Sequence, residues 1–183
     1  MTLLFVSKNR FKHAEAKQYL ESLGIDVEAC HLVIDELQTT DVETLVKDKA
    51  TRAFAELGRP LFVEHTGLYL ETLNGFPGGL TQIFWETLRK ERFAELFASE
   101  TAIVKAATYI GYVDGRRTHI FHGEISGRIV NPPRVDYGFQ WDCVFKPDGS
   151  VQSFSEMGER KNNISMRGIA LMKLRDHLQK NPL

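Results

Sequence analysis

The chain has 183 residues, 43% hydrophobic and 26% charged, with a formal net charge of −1. That balance suits a globular domain with a substantial core and excludes a disordered tail or a broad basic face for nucleic acid or anionic membrane, while leaving room for a local cationic cluster. Cys30 and Cys143 stand apart without metal-ligand spacing, no apolar run reaches the ~18 residues of a membrane span, and Met1 leads straight into strand-like sequence, so a cytoplasmic protein with reduced thiols is expected.

Thr2 to Ser7 (TLLFVS) is a short apolar run suited to a buried strand. A helical pattern follows, with Phe11, Ala14, Tyr19, Leu20 and Leu23 on one side and Gly24 as C-cap. Residues 26–34 read as a second strand. Thr40 and Glu43 have the spacing of a capping box, opening a helix that runs to Leu57 and stops at Gly58. Pro60 to Glu64 is a third strand. This β-α-β-α-β alternation predicts an α/β fold with helices packed on a parallel or mixed sheet. Leu73 to Thr81 is rich in Gly and Pro and is expected as a loop, followed by a helix over about 82–98. Residues 102–113 and 116–130 are two β-rich runs joined by Asp114-Gly115, a strong hairpin signal. Asn131 to Trp141 is irregular and precedes a short strand pair. An amphipathic helix over 164–179, with Ile169, Leu171, Met172, Leu174 and Leu178 apolar, ends the chain. No repeat or linker divides it, which predicts one domain over 1–183. The two long Gly/Pro-containing loops are where function is expected.

Three neighbourhoods could carry chemistry. Ser7-Lys8-Asn9-Arg10-Phe11-Lys12 sits at a strand-to-helix junction, where free N–H groups and the positive helix end suit phosphate oxygens; a solvated basic helix start has the same appearance. Asp35-Glu36, Glu64 and Asp142 are acidic, and the first two fall at strand ends, where ligands gather in doubly wound sheets. A magnesium site there competes with ordinary acidic strand ends. Phe139 and Trp141 stand beside Asp142, with Lys161, Ser165, Met166 and Arg167 further on. Such a group could clamp a flat base, or its aromatics could be plain core.

Taken as a set, the residues resemble the inosine triphosphate pyrophosphatase family. Its opening signature stands as Ser7, Asn9, Lys12 and Glu15, and its acidic loop with the following lysine as Glu36-Leu37-Gln38 and Lys49. The central signature reads Glu64-His65-Thr66-Gly67-Leu68 and Asn74-Gly75-Phe76-Pro77-Gly78. The distal one reads Gly138-Phe139-Gln140-Trp141-Asp142, then Lys161-Asn162, then Ser165-Met166-Arg167. The resemblance implies a two-lobed α/β fold around a long mixed central sheet, a homodimer, and a purine nucleoside triphosphate in the cleft between the lobes. It also implies magnesium-dependent hydrolysis of ITP, dITP or XTP to the monophosphate and pyrophosphate. Carried over, Ser7, Asn9, Lys12, Lys49, Thr66 and Gly67 would handle phosphates, and Glu36 would bind the metal. Phe139 would stack on the base, with Trp141, Asp142, Lys161, Ser165 and Arg167 completing the pocket. An arginine, which only donates, suits a 6-oxo group and not the 6-amino group of adenine.

Three departures matter. His65 stands where the family has an aspartate that holds magnesium and activates water, and imidazole is a poor ligand for so hard an ion. Met166 replaces a histidine, and Val135 a glycine. His65, Glu36 and Lys12 are the candidate catalytic residues. Binding kept with hydrolysis weak or lost is the expectation, as in a nucleotide sensor or regulatory subunit that acts through an effector protein, for example in antiviral defence. The alternative is an active magnesium-dependent pyrophosphatase that tolerates His65.

Overall fold

The computed structural model describes residues 2–21, 24–137 and 140–181. Strand β1 (Thr2–Val6) buries its four apolar residues from Leu3 onward, and helix α1 (Arg10–Glu21) follows. Only Ala16 and Leu20 of α1 are fully buried. Phe11 and Ala14, expected on the core side, are exposed because the first turn overhangs the rim of a cleft. Leu23 lies outside the described residues, and Gly24 (φ 73) donates its N–H to the Glu21 carbonyl.

Strand β2 (Asp26–Cys30) pairs parallel with β1 from Thr2–Asp26 to Val6–Cys30. It ends short of the expected Ile34 because β1 has no further residue to pair with it. Helix α2 (Val42–Leu57) is capped by Asp41, not by Thr40: its carboxylate accepts from the N–H groups of Glu43 and Thr44 and favours the positive helix end. Gly58 (φ 62) closes the helix as expected.

Strand β3 (Leu61–Leu70) runs well past the expected end at Glu64. Polarity does not end it, because Glu64, His65 and Thr66 are buried with partners. Within the expected loop after it, Pro77–Gly78 form the short strand β4, antiparallel to β3. Helix α3 (Thr81–Phe97) kinks at Arg89 (φ 64), which lets Phe84 and Trp85 meet Phe93 edge to face. Strands β5 (Val104–Val113) and β6 (Thr118–Ile129) form the expected hairpin, with Asp114 accepting from the N–H groups of Arg116 and Arg117. Beyond it a single strand, β7 (Phe145–Pro147), replaces the expected pair. Residues 151–153 instead lead into the Ser153/Glu156 capping box of the short helix α4 (Phe154–Met157). Helix α5 (Met166–Lys180) then lies across the sheet.

The sheet order is β2-β1-β3-β5-β6-β7, with β4 added to β3; β1 is parallel to both neighbours and the remaining pairs are antiparallel. Helices α1 and α5 cover one face through Leu20, Leu171 and Leu174, packed on Phe5 and Phe62. Helix α2 covers the other through Leu45 and Val46, packed on Leu61 and Val63. A third core, with Leu68, Phe93, Val104, Trp141, Phe145 and Phe154, forms a second lobe. Strands β3 and β5 belong to both lobes, and Glu64–Thr66 lie where β3 crosses between them. Both cysteines are free, and among the described residues no helix is long and apolar enough to cross a membrane.

Candidate functional site

Alternation along β3 separates two chemistries at the crossing. Glu64 follows Phe62 onto the α1/α5 face, and His65 follows Val63 onto the α2 face. On the α1/α5 side, Glu64 accepts from Arg167 Nε (2.8 Å) and Nη2 (3.3 Å) and from Lys12 Nζ (2.7 Å). Arg167 also donates to Glu15 (2.6 Å), and Lys161 bridges Asp142 (2.6 Å) and Glu15 (3.5 Å). Three cations thus meet three carboxylates. Burial alone would raise the Glu64 carboxyl, but Arg167 and Lys12 overcome it and hold the group down to about 2. Burial, aided by Arg167 and Lys49, lowers Lys12 although Glu64 opposes the shift. Burial pushes Asp142 up against the pull of Lys161.

On the α2 side, His65 Nε2 donates to the Gly79 carbonyl (3.0 Å), and Nδ1 faces Glu36 Oε2 at 3.5 Å. Lys49 Nζ donates to Glu36 Oε1 at 2.5 Å. His65 and Lys49 hold the Glu36 carboxyl well below the usual range, against the effect of burial. The backbone around Gly79 fits because glycines meet it: a Cβ on Gly67 of β3 would meet the Gly78 carbonyl oxygen at 2.6 Å, and one on Gly79 the Thr39 carbonyl oxygen at 2.3 Å.

The junction of β1 and α1 forms one wall. Asn9 Oδ1 accepts from the N–H groups of Phe11 (2.9 Å) and Lys12 (3.3 Å), Ser7 Oγ accepts from that of Asn9 (3.2 Å), and His13 Nε2 donates to the Ser7 carbonyl (2.8 Å). This helix start opens on a cavity of about 580 Å³, within the range of small-ligand sites. Ser7, Lys8, Asn9, Arg10, Lys12, Glu36 and Lys49 line it, with Gln82 and Gln140 from the other lobe. A second cavity of about 160 Å³ shares Phe11 as a wall and is lined by Glu15, Asp142, Phe154, Ser155 and Lys161.

The candidates named from the sequence thus separate. Ser7, Asn9, Lys12, Glu36 and Lys49 line the first cavity, and Asp142 and Lys161 the second. Thr66 turns its hydroxyl to Thr108 (2.7 Å), and Gly67 packs on the Gly78 backbone. Trp141 packs on Phe145 in the second core, Ser165 caps α5 through the N–H of Gly168, and Arg167 is 1% exposed with its guanidinium on Glu64 and Glu15. Phe139 lies outside the described residues. Phe154 and Gln82 were not anticipated from the sequence, and Phe11, named there within the Ser7–Lys12 stretch and expected on the core side, borders both cavities. Phe11 has a signal: it directly follows the residue after the Asn9 cap, where a side chain overhangs the helix start.

Magnesium does not fit these donors. Glu36 is the single acid among the described residues lining the first cavity, its oxygens are turned to Lys49 and His65, and no group of three or more His, Cys, Asp or Glu among the described residues is placed to hold a metal ion.

Residues 3–177 match the profile of the Ham1 family. The dITP/XTP pyrophosphatase of Methanopyrus kandleri is 37% identical, over 99% of this chain and 98% of its own. The inosine triphosphate pyrophosphatase of Tuber melanosporum is 35% identical, over 99% and 98%. The solved HAM1 protein of Coxiella burnetii superposes with a TM-score of 0.83 at 25% identity, covering 98% of this chain and 99% of its own.

Proposed function

The chain belongs to the Ham1 family, and we propose that it is a working nucleoside triphosphate pyrophosphatase that converts deaminated purine triphosphates (ITP, dITP or XTP) to the monophosphate and pyrophosphate. The observation that carries the reading is the cationic cavity at the start of α1, with the His65 ring beside its one carboxylate. The expectation of a sensor with weak or lost hydrolysis gives way. Relatives matching along 99% of the chain are named pyrophosphatases, and an antiviral sensor role has no support from them.

In this reading the triphosphate lies over the α1 N-terminus, with Ser7, Asn9, Lys12 and Lys49 as donors. The base enters the second cavity past Phe11. There Lys161 offers only donors, which suits a 6-oxo group and cannot accept from a 6-amino group. The hydrogen that His65 Nε2 gives to the Gly79 carbonyl fixes the ring with Nδ1 toward Glu36, which His65 and Lys49 hold ionised. A water held there passes its proton to the Glu36 carboxylate as it attacks the α–β phosphoanhydride, and pyrophosphate leaves on the lysine side.

The test is pyrophosphate release by the purified protein from ITP, dITP, XTP and ATP. Turnover of the deaminated nucleotides above ATP is expected, with a drop of roughly 10²–10⁴-fold in Glu36→Ala. No release from any deaminated purine triphosphate, or full activity in Glu36→Ala, refutes it.

A further inference from the structure

Resting on the nucleotide reading above, we infer that this cleft binds its triphosphate without a divalent ion held by the protein, the Lys49 and His65 side chains standing beside Glu36 where such an ion would need ligands. Magnesium asks for near-octahedral oxygen coordination at about 2.0–2.1 Å. Glu36 offers a single carboxylate, with Oε1 bound to Lys49 Nζ at 2.5 Å and Oε2 turned to His65 Nδ1 at 3.5 Å. The side chain nearest that carboxylate on β3 therefore presents nitrogen, and its other nitrogen is committed to the Gly79 carbonyl. Glu64, the adjacent acid in sequence, lies on the opposite face of β3 with both oxygens on Arg167 and Lys12.

The charge balance points the same way. Lys8, Arg10, Lys12 and Lys49 line the cavity against Glu36 alone. A metal-free triphosphate carries more negative charge than its magnesium complex, and an excess of fixed cations suits the freer anion. The chain itself supplies the neutralisation that an ion would bring.

The experiment is calorimetric titration with inosine triphosphate bearing a methylene bridge between the α and β phosphorus atoms, in EDTA and in excess magnesium. Wild type should bind within about twofold in the two conditions, whereas His65→Asp, which sets a second carboxylate beside Glu36, should bind about tenfold tighter with magnesium. Wild-type affinity that collapses tenfold or more on chelation overturns the inference and leaves the nucleotide reading standing. Binding in neither condition overturns the nucleotide reading itself. A His65→Asp protein indifferent to magnesium refutes the assignment of position 65 as the cause. Because His65 sits in a buried strand, a manganese titration of wild-type protein followed by electron paramagnetic resonance needs no variant. An undiminished free-ion signal is expected, and loss of one equivalent per chain would overturn the proposal.

Discussion

Glu64→Gln isolates the hub of the buried ion network. The carboxylate is 3% exposed and receives three hydrogen bonds, two from Arg167 and one from Lys12. The amide keeps the shape but removes the charge, and turns an N–H₂ toward cations on at least one side. Lys12, Lys161 and Arg167 then lose the central of the three carboxylates, with Glu15 and Asp142 left beside them. Breaking a buried pair by removing one partner costs about 3–5 kcal/mol. A second route agrees: holding the Glu64 carboxyl at about 2 instead of the ordinary 4.5 is worth roughly 3 kcal/mol at neutral pH. The folded value lies below the unfolded one, so this stability is present above pH 4.5 and is lost as pH falls through about 2. At roughly 2–4 °C per kcal/mol for a chain of this size, the melting temperature at pH 7 should fall by about 6–20 °C. The variant should also lose much of the wild-type decline between pH 4.5 and 2, read by calorimetry across an acid series. A shift under about 2 °C at pH 7, or an unchanged acid limb, would refute the view of Glu64 as a net stabilising hub.

Lys12→Ala should weaken triphosphate binding by about 10–100-fold while leaving nucleoside binding nearly unchanged, as a charge-assisted contact to phosphate requires. Equal losses for nucleoside and triphosphate in calorimetry would remove α1 from the phosphate site. Gly67→Ala should destabilise the fold by roughly 1–3 kcal/mol, since its Cβ would meet the Gly78 carbonyl oxygen at 2.6 Å. An unchanged denaturant midpoint would show that the β3–β4 approach has slack.

What could be read from the sequence was local. Gly58 closing α2 and the Asp114-Gly115 turn each depend on residues within a few positions, so residue type was enough. The length of β3 was not legible, because Glu64 and Thr66 look like strand-ending polarity until Arg167, 103 residues away, and Thr108 are brought to them. The same distance hid the environment of Arg167. Its type suggested a donor aimed at a base, and the fold spends that guanidinium on Glu64 and Glu15. Asp41 took the cap from Thr40 by one position, a margin that residue type does not resolve. Trp141 followed the bland alternative of an ordinary core aromatic.

Strands β3 and β5 are paired residue for residue from Leu61–Val113 to Leu70–Val104, straight through the crossing between the lobes. A jaw that opens on a hinge would have to shear that ladder. The two lobes therefore share one continuous backbone framework through the crossing. On the proposed reading, adaptation to a nucleotide falls to the short pieces along the rim, the overhanging first turn of α1 and the kinked α3.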